Sequence, residues 1–351
     1  MSARLPLAAL TLALCAVPVQ AQQAPPSAAD SDPVKLGWMQ GNPPPLDKQV
    51  RFDDGSYNKF PQTRWSFAHF RELVPTARVA RGHGPVSPLP VALRSDVARL
   101  TFVPTGDSKP VSWVEAFDSI YTDAVIVLHR GRIVYEKYNG VMNRDQPHIL
   151  FSLTKGFYGT LTEMLIDEGR IDEQQTVAHY LPELAQSGVG DATVRQVLDM
   201  TTSLDYNEDA ADAGEKMARF GVAAGMYPAP PGYDGPRTVF DLLKEVRKVD
   251  AHGQRFDYQS VDTEVLGLII SRVTGQRSER VLQDRIWSRL GAENARRSPS
   301  ISTSPPLRVM KSTCTSASCT WGAMSKLCTP ERSGIHSKCT SSAHGTSACV
   351  P

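Results

Sequence analysis

The chain has 351 residues, with 38 Lys and Arg against 37 Asp and Glu for a formal net charge of +1, and 41% of its residues are hydrophobic. That length and apolar content suit two globular domains or one large one. A balanced charge with no basic stripe excludes nucleic acid as the expected partner and points to small-molecule chemistry.

In chain order, Met1 to Arg4 is a short basic start, residues 5–19 are an apolar run, and Val19-Gln20-Ala21 is a small-residue cleavage site. Residues 1–21 therefore read as a signal peptide, and the protein is expected to be periplasmic or secreted, with no membrane association after cleavage. The run is too short to span a bilayer and Pro18 interrupts it. Residues 22–50, rich in Pro, Ala and Ser, read as a flexible leader. Phe52, Tyr57, Phe60, Trp65, Phe67 and Phe70 follow at irregular spacing, which predicts a packed arm with one helix near residues 66–73.

Residues 123–128 and 132–138 are β-rich runs around His129-Arg130-Gly131, a hairpin signal. A helix is predicted over residues 157–166. Beyond Gly169, residues 176–184, 193–200, 238–248 and 261–274 carry apolar positions at helical spacing. Asp191-Ala-Thr-Val194 and Ser260-Val-Asp-Thr-Glu264 supply capping residues for two of these helices. Residues 227–236, with four prolines and two glycines, form a rigid loop between them.

Chemistry enters at Ser152-Leu153-Thr154-Lys155. Residues three apart share a helix face, so the amine can reach the hydroxyl. Such a pair can make a serine nucleophilic without histidine. The pattern alone is weak, since a serine at a helix start is more often a cap. A second copy, Ser56-Tyr57-Asn58-Lys59, follows the turn Asp53-Asp54-Gly55 and reads as chance. A second element, Phe256-Asp257-Tyr258-Gln259-Ser260, stands at the entrance of another helix. A phenol serves as general base where a neighbouring cation favours its ionised form, and Lys155 is the candidate cation. The alternative for Tyr258 is an ordinary, partly buried tyrosine.

Taken together, Ser152-Leu-Thr-Lys155, Thr193-Val-Arg-Gln-Val-Leu-Asp-Met-Thr-Thr-Ser-Leu-Asp205 and Tyr258-Gln-Ser260 with Leu266-Gly267 resemble the class C β-lactamase-like serine hydrolases. That superfamily includes D-alanyl-D-alanine peptidases, family VIII esterases and the 6-aminohexanoate-dimer hydrolases. Trp38-Met-Gln-Gly41, Phe60-Pro-Gln-Thr-Arg-Trp65 and Tyr233-Asp-Gly235 are similar to the last group. The resemblance implies an α/β plus all-α fold of the β-lactamase/penicillin-binding transpeptidase type, an antiparallel sheet with helices and a helical insertion. Residues 51–168 would begin the α/β domain, and residues 169–291 would be the helical region carrying the tyrosine motif. It implies that Ser152 attacks a carbonyl, that Lys155 and Tyr258 manage its proton, and that an acyl-enzyme forms on a small ester or amide substrate, with no cofactor. The family takes its second oxyanion donor and third motif from a C-terminal strand.

The chain departs from that pattern twice. Amide-cleaving members carry a tyrosine and an acidic residue where this chain has Ala210 and Gly221, which favours ester over amide cleavage because a leaving amine must be protonated. The tail, residues 298–351, has 13 Ser, 7 Thr and 5 Cys with neither strand nor helix periodicity. Cys314, Cys319, Cys328, Cys339 and Cys349 leave one thiol unpaired and lack zinc spacing, although His336 and His344 lie among them. His344-Gly345-Thr346 has no strand around it to make it the third motif.

The expectation is a reading frame disrupted between Gly291 and Ser300, with the C-terminal strands missing. The hairpin at residues 123–138 would then keep an open edge, and the chain as written would be poorly stable. The alternative function is a catalytically inactive, penicillin-binding-like relic that does not turn over. No Gly-x-Ser-x-Gly, His-Glu-x-x-His or phosphate loop points to another enzyme class.

Overall fold

The computed structural model describes residues 24–206, 208 and 213–293. The signal segment 1–21, Ala210, the tail 298–351 and all six cysteines lie outside the described residues.

Residues 24–50, expected as a flexible leader, are instead fastened to the body. The buried Arg64 guanidinium donates to the Ala28 carbonyl at 2.6 Å, to Ser31 Oγ at 2.9 Å and to Asp123 Oδ1 at 3.0 and 2.7 Å. Val50, Tyr57, Trp65, Phe70, Val74 and Ile149 form a small apolar cluster beside it. The helix predicted near residues 66–73 is two single turns, α1 (Thr63–Ser66) and α2 (Phe70–Leu73). His69 divides them: its ring stacks on Trp65 at 4.1 Å and its Nδ1 lies 2.8 Å from the Trp65 carbonyl, which a continuous helix would use itself.

Strands β1 (Thr101–Phe102) and β2 (Val111–Ser112) pair antiparallel, and α3 (Trp113–Ser119) opens on a capping box between Ser112 and Glu115. The predicted hairpin is β3 (Ala124–His129) and β4 (Arg132–Tyr138). Arg130 and Gly131 both have positive φ, 51° and 73°, the two-residue turn whose twist matches the strands it joins. The far edge of β4 bonds residues 90–94, with the Ala92 and Arg94 amides donating to Ile133 and Val134. Among the described residues, β3 has a strand on one edge only.

The helical body contains α4 (Leu153–Asp167), α5 (Val177–Tyr180), α6 (Val194–Leu198), α7 (Ala213–Ala223), α8 (Val239–Glu245), α9 (Ser260–Thr274) and α10 (Ser278–Arg285). At its centre α4 lies on α9. Leu161 and Leu165 on one, and Val261, Val265 and Ile269 on the other, are fully buried at i, i+4 spacing. Each such side chain contributes about 1.5–3 kcal/mol by leaving water. Trp287 closes the core edge-on to Phe157.

The predicted caps resolve differently. Thr193, not Asp191, caps α6 through a box with Gln196, while Asp191 pairs with Lys248 and His252. Ser260 is the first residue of α9, and its hydroxyl is used elsewhere. Helices α3, α7 and α10 were not legible as periodic runs; α10 shows only Val281 and Leu282 as apolar residues among charged and polar ones. Among the described residues no helix is long and apolar enough to cross a membrane.

Candidate active site

Ser152 stands at the N-terminus of α4, immediately after Phe151, whose φ is +43°. A left-handed phenylalanine costs roughly 1–2 kcal/mol. It is braced edge-on against Phe67 at 4.9 Å, and Phe67 in turn accepts the Ile149 amide on its carbonyl. The bend separates Ser152 from the preceding extended chain and leaves it exposed. Its hydroxyl makes no capping bond to α4.

The partner of that hydroxyl is Lys155. Lys155 Nζ donates to Ser152 Oγ at 3.1 Å and to Ser260 Oγ, on the first turn of α9, at 2.9 Å. The same ammonium lies 4.8 Å from the centre of the Tyr258 ring. All three residues singled out in the sequence thus meet at the junction of α4 and α9. The decoy pair behaves differently: Ser56 Oγ accepts from the Arg51 amide at 2.8 Å, in a short turn of the N-terminal arm.

The run from Thr193 to Asp205 supports the tyrosine segment from behind. Asp257 and Gly253 donate their amides to the carbonyls of Met200 and Thr201, both at 2.8 Å. Thr202 bonds the buried carboxyl of Asp262. The Ser203 amide donates to His252 Nδ1 at 2.9 Å, which leaves the Nε2 hydrogen for the Gly188 carbonyl and Asp191, each at 3.1 Å. The chain entering α9 is therefore fixed at three successive points, and Tyr258 is carried on it.

One site residue has no signature in the sequence. Glu208 accepts the Ser260 backbone amide on Oε1 and the Ser260 hydroxyl on Oε2, the latter at 3.1 Å. The available signals were an acidic side chain shortly after the Thr193 to Asp205 run and a serine in Tyr258-Gln-Ser260 with no assigned task. The tyrosine beside it, Tyr206, is held well above the usual phenol range by burial and by the neighbouring Glu208.

Gly221 lies under the Tyr227 ring: a β-carbon there would sit 2.0 Å from Tyr227 Cδ2. No side chain fits at that position while Tyr227 keeps its place. Phe151, Leu153, Phe256 and Tyr258, which flank Ser152 and Ser260 in the sequence, are all exposed.

A sequence profile described as beta-lactamase matches residues 112–315. The 6-aminohexanoate-dimer hydrolase of Paenarthrobacter ureafaciens is 36% identical over 238 residues, which are 68% of this chain and 58% of that protein. A protein of Escherichia coli K12 assigned as a D-alanyl-D-alanine carboxypeptidase is 25% identical over 182 residues, 49% of this chain and 40% of its own length. A solved structure from Bacillus anthracis, assigned as a 6-aminohexanoate-dimer hydrolase, superposes with a TM-score of 0.65 at 30% identity, covering 72% of this chain and 65% of that one. The chain spans less than two thirds of the length of each of these relatives.

Proposed function

The chain belongs to the beta-lactamase family, whose profile covers more than half of its length, and on that premise we propose that it is a serine hydrolase that cleaves a small ester or amide through an acyl-enzyme on Ser152. The observation that carries this reading is the position of Lys155 Nζ, bonded to Ser152 Oγ and lying over the Tyr258 ring.

In the proposed reaction Ser152 Oγ adds to the substrate carbonyl carbon and its proton passes to the Lys155–Tyr258 pair. The pair returns that proton to the departing alcohol or amine as the carbonyl re-forms, leaving the acyl group on Ser152. Water, activated by the same pair, then releases the acid. Among the described residues the Ser152 N–H has no acceptor. It stands at the positive end of α4, where it would meet the developing oxyanion.

Esters are the favoured substrate class. Tyr227 fills the space over Gly221, so the acid that would assist a leaving amine is absent from that position. An alkoxide leaves with less help. The basic and apolar start of the chain supports export to the periplasm as the site of action.

A chromogenic short-chain ester and a fluorophosphonate probe test the proposal together. The expected result is stoichiometric labelling mapped to Ser152 by mass spectrometry, with Ser152→Ala losing labelling and at least about 10³-fold of the hydrolysis. Hydrolysis that survives Ser152→Ala overturns it. Labelling without turnover would favour the non-hydrolytic relic.

A further inference from the structure

Ser260 belongs to the tyrosine segment, yet its hydroxyl stands between Lys155 and a carboxyl group. Two donors converge on Glu208: the Ser260 amide and the Ser260 hydroxyl. A hydroxyl has one hydrogen and two lone pairs, whereas a carboxylate only accepts. The Ser260 hydrogen is therefore spent on Glu208, and the lone pair that remains faces Lys155 Nζ at 2.9 Å. The hydroxyl cannot turn to donate toward the lysine without losing its bond to Glu208. Lys155 must donate, and the direction of one of its N–H bonds is set from 52 positions away along the chain from Ser260.

We infer that Glu208 is a positioning residue of the active site, acting through the Ser260 hydroxyl to fix the orientation of Lys155 and to place a negative charge one hydroxyl away from it. The inference rests on the serine-hydrolase reading and extends it to a residue that never touches substrate. With one N–H held by Ser260, a second is directed at Ser152 Oγ, so the lysine stays on the nucleophile. Other ionisable groups surround this chain of contacts. Tyr258 lies against Lys155. Glu264 and Tyr227 influence Tyr206, and Asp257 acts on Asp262. Asp257 also pairs with Arg255 at 3.6 Å. Among the described residues, only Glu208 accepts from the Ser260 hydroxyl.

The test is the rate of fluorophosphonate labelling of Ser152 between pH 5 and 10, which needs no knowledge of the substrate. Three variants are compared with the unaltered chain: Glu208→Gln, Ser260→Ala, which cuts the hydroxyl link but keeps the backbone amide on Glu208, and the two combined. Removing the carboxylate charge or the link to it should release the Lys155 N–H bonds from their fixed directions and change the field at the site. The alkaline limb of the profile should then move to lower pH by about half a unit or more, with labelling at pH 7 slowed about 10–100-fold. Because both act through one contact, the double variant should be no slower than the worse single one. A purely structural Glu208 would lower the folded fraction without moving the profile, so superimposable profiles overturn the inference. Where Glu208→Gln does not fold, Ser260→Ala decides alone by the same criterion. Absence of labelling in the unaltered chain at every pH overturns the hydrolase reading, and this inference with it; labelling with unmoved profiles overturns this inference only.

Discussion

The Thr202 hydroxyl lies 2.9 Å from Oδ1 and 2.8 Å from Oδ2 of Asp262, spanning a carboxyl group that is completely buried. One hydrogen cannot satisfy two charged oxygens. Burial pushes the Asp262 carboxyl well above the ordinary range, the Thr202 bond opposes this, and the charges of Asp257 and Glu208 add to it. The folded protein therefore keeps a proton that the unfolded chain releases above about pH 3.9. The stability this confers is fully present below that value and is lost as pH rises through the folded value of Asp262. Asp262→Asn, which keeps the shape without the charge, should flatten this dependence. Thermal melts between pH 4 and 8 should show Tm falling less with pH in the variant than in the unaltered chain; parallel curves would assign the dependence to another group.

Arg64 and Asp123 make the second buried polar contact on which the architecture depends, with side chains 5% and 12% exposed. Burial holds the Asp123 carboxyl above its usual range despite the opposing guanidinium. Arg64→Ala would leave that carboxyl unpaired and release Ala28 and Ser31, so a loss of about 3–5 kcal/mol is expected in urea unfolding. Replacing both partners with apolar residues, Arg64→Met with Asp123→Leu, should recover much of the loss, because no buried charge remains. A double variant as unstable as Arg64→Ala would mean that the N-terminal arm, not the charge, carries the energy.

These two contacts also mark how far the sequence could be read. The helices α4 and α9 and the β3–β4 hairpin were legible because their signals are local: apolar residues at i, i+4 and a two-residue turn. Ser152 and Lys155 were legible for the same reason, three residues apart on one helix. Glu208 was not, since its partner Ser260 is 52 positions away and only the folding of the intervening loop brings them together. The fastening of residues 24–50 was hidden in the same way, in an arginine 36 positions from the carbonyl it binds. Thr193 displaced Asp191 as a cap because Lys248 and His252, far along the chain, claimed the aspartate. Patterns with a short period reach the page; pairings closed by loops do not.

Gly221 and Tyr227 provide a test of how tightly the end of helix α7 is packed. A β-carbon there would overlap the Tyr227 ring at 2.0 Å, and the Met226 and Tyr227 amides both donate to the Gly221 carbonyl, which holds the ring in place. Gly221→Ala should therefore cost about 1–3 kcal/mol by overpacking. Tyr227→Ala removes the obstacle, so adding Gly221→Ala to it should cost almost nothing further. Denaturant unfolding of the four proteins gives the coupling directly; additive losses would show that helix α7, rather than the tyrosine, rejects the side chain.

The last prediction concerns how the core transmits to the site. Val261 and Ile270 are both fully buried on α9, but Val261 adjoins Ser260 whereas Ile270 lies nearly three turns away. Truncation to alanine should destabilise the fold at both positions, by about 2 kcal/mol at Val261 and about 2–5 kcal/mol at Ile270. Their effects on chemistry should separate. A cavity under Val261 lets the first turn of α9 settle, and the Ser260 hydroxyl, 2.9 Å from Lys155 Nζ, moves with it. Displacements of about 1 Å in such a contact can cost about 10²-fold in rate. Fluorophosphonate labelling of Ser152, normalised to the folded fraction, should therefore slow at least about 10-fold in Val261→Ala and stay within about 2-fold of the unaltered chain in Ile270→Ala. Equal slowing in the two variants would mean that α9 moves as a rigid rod and that its first turn has no separate role in holding the lysine.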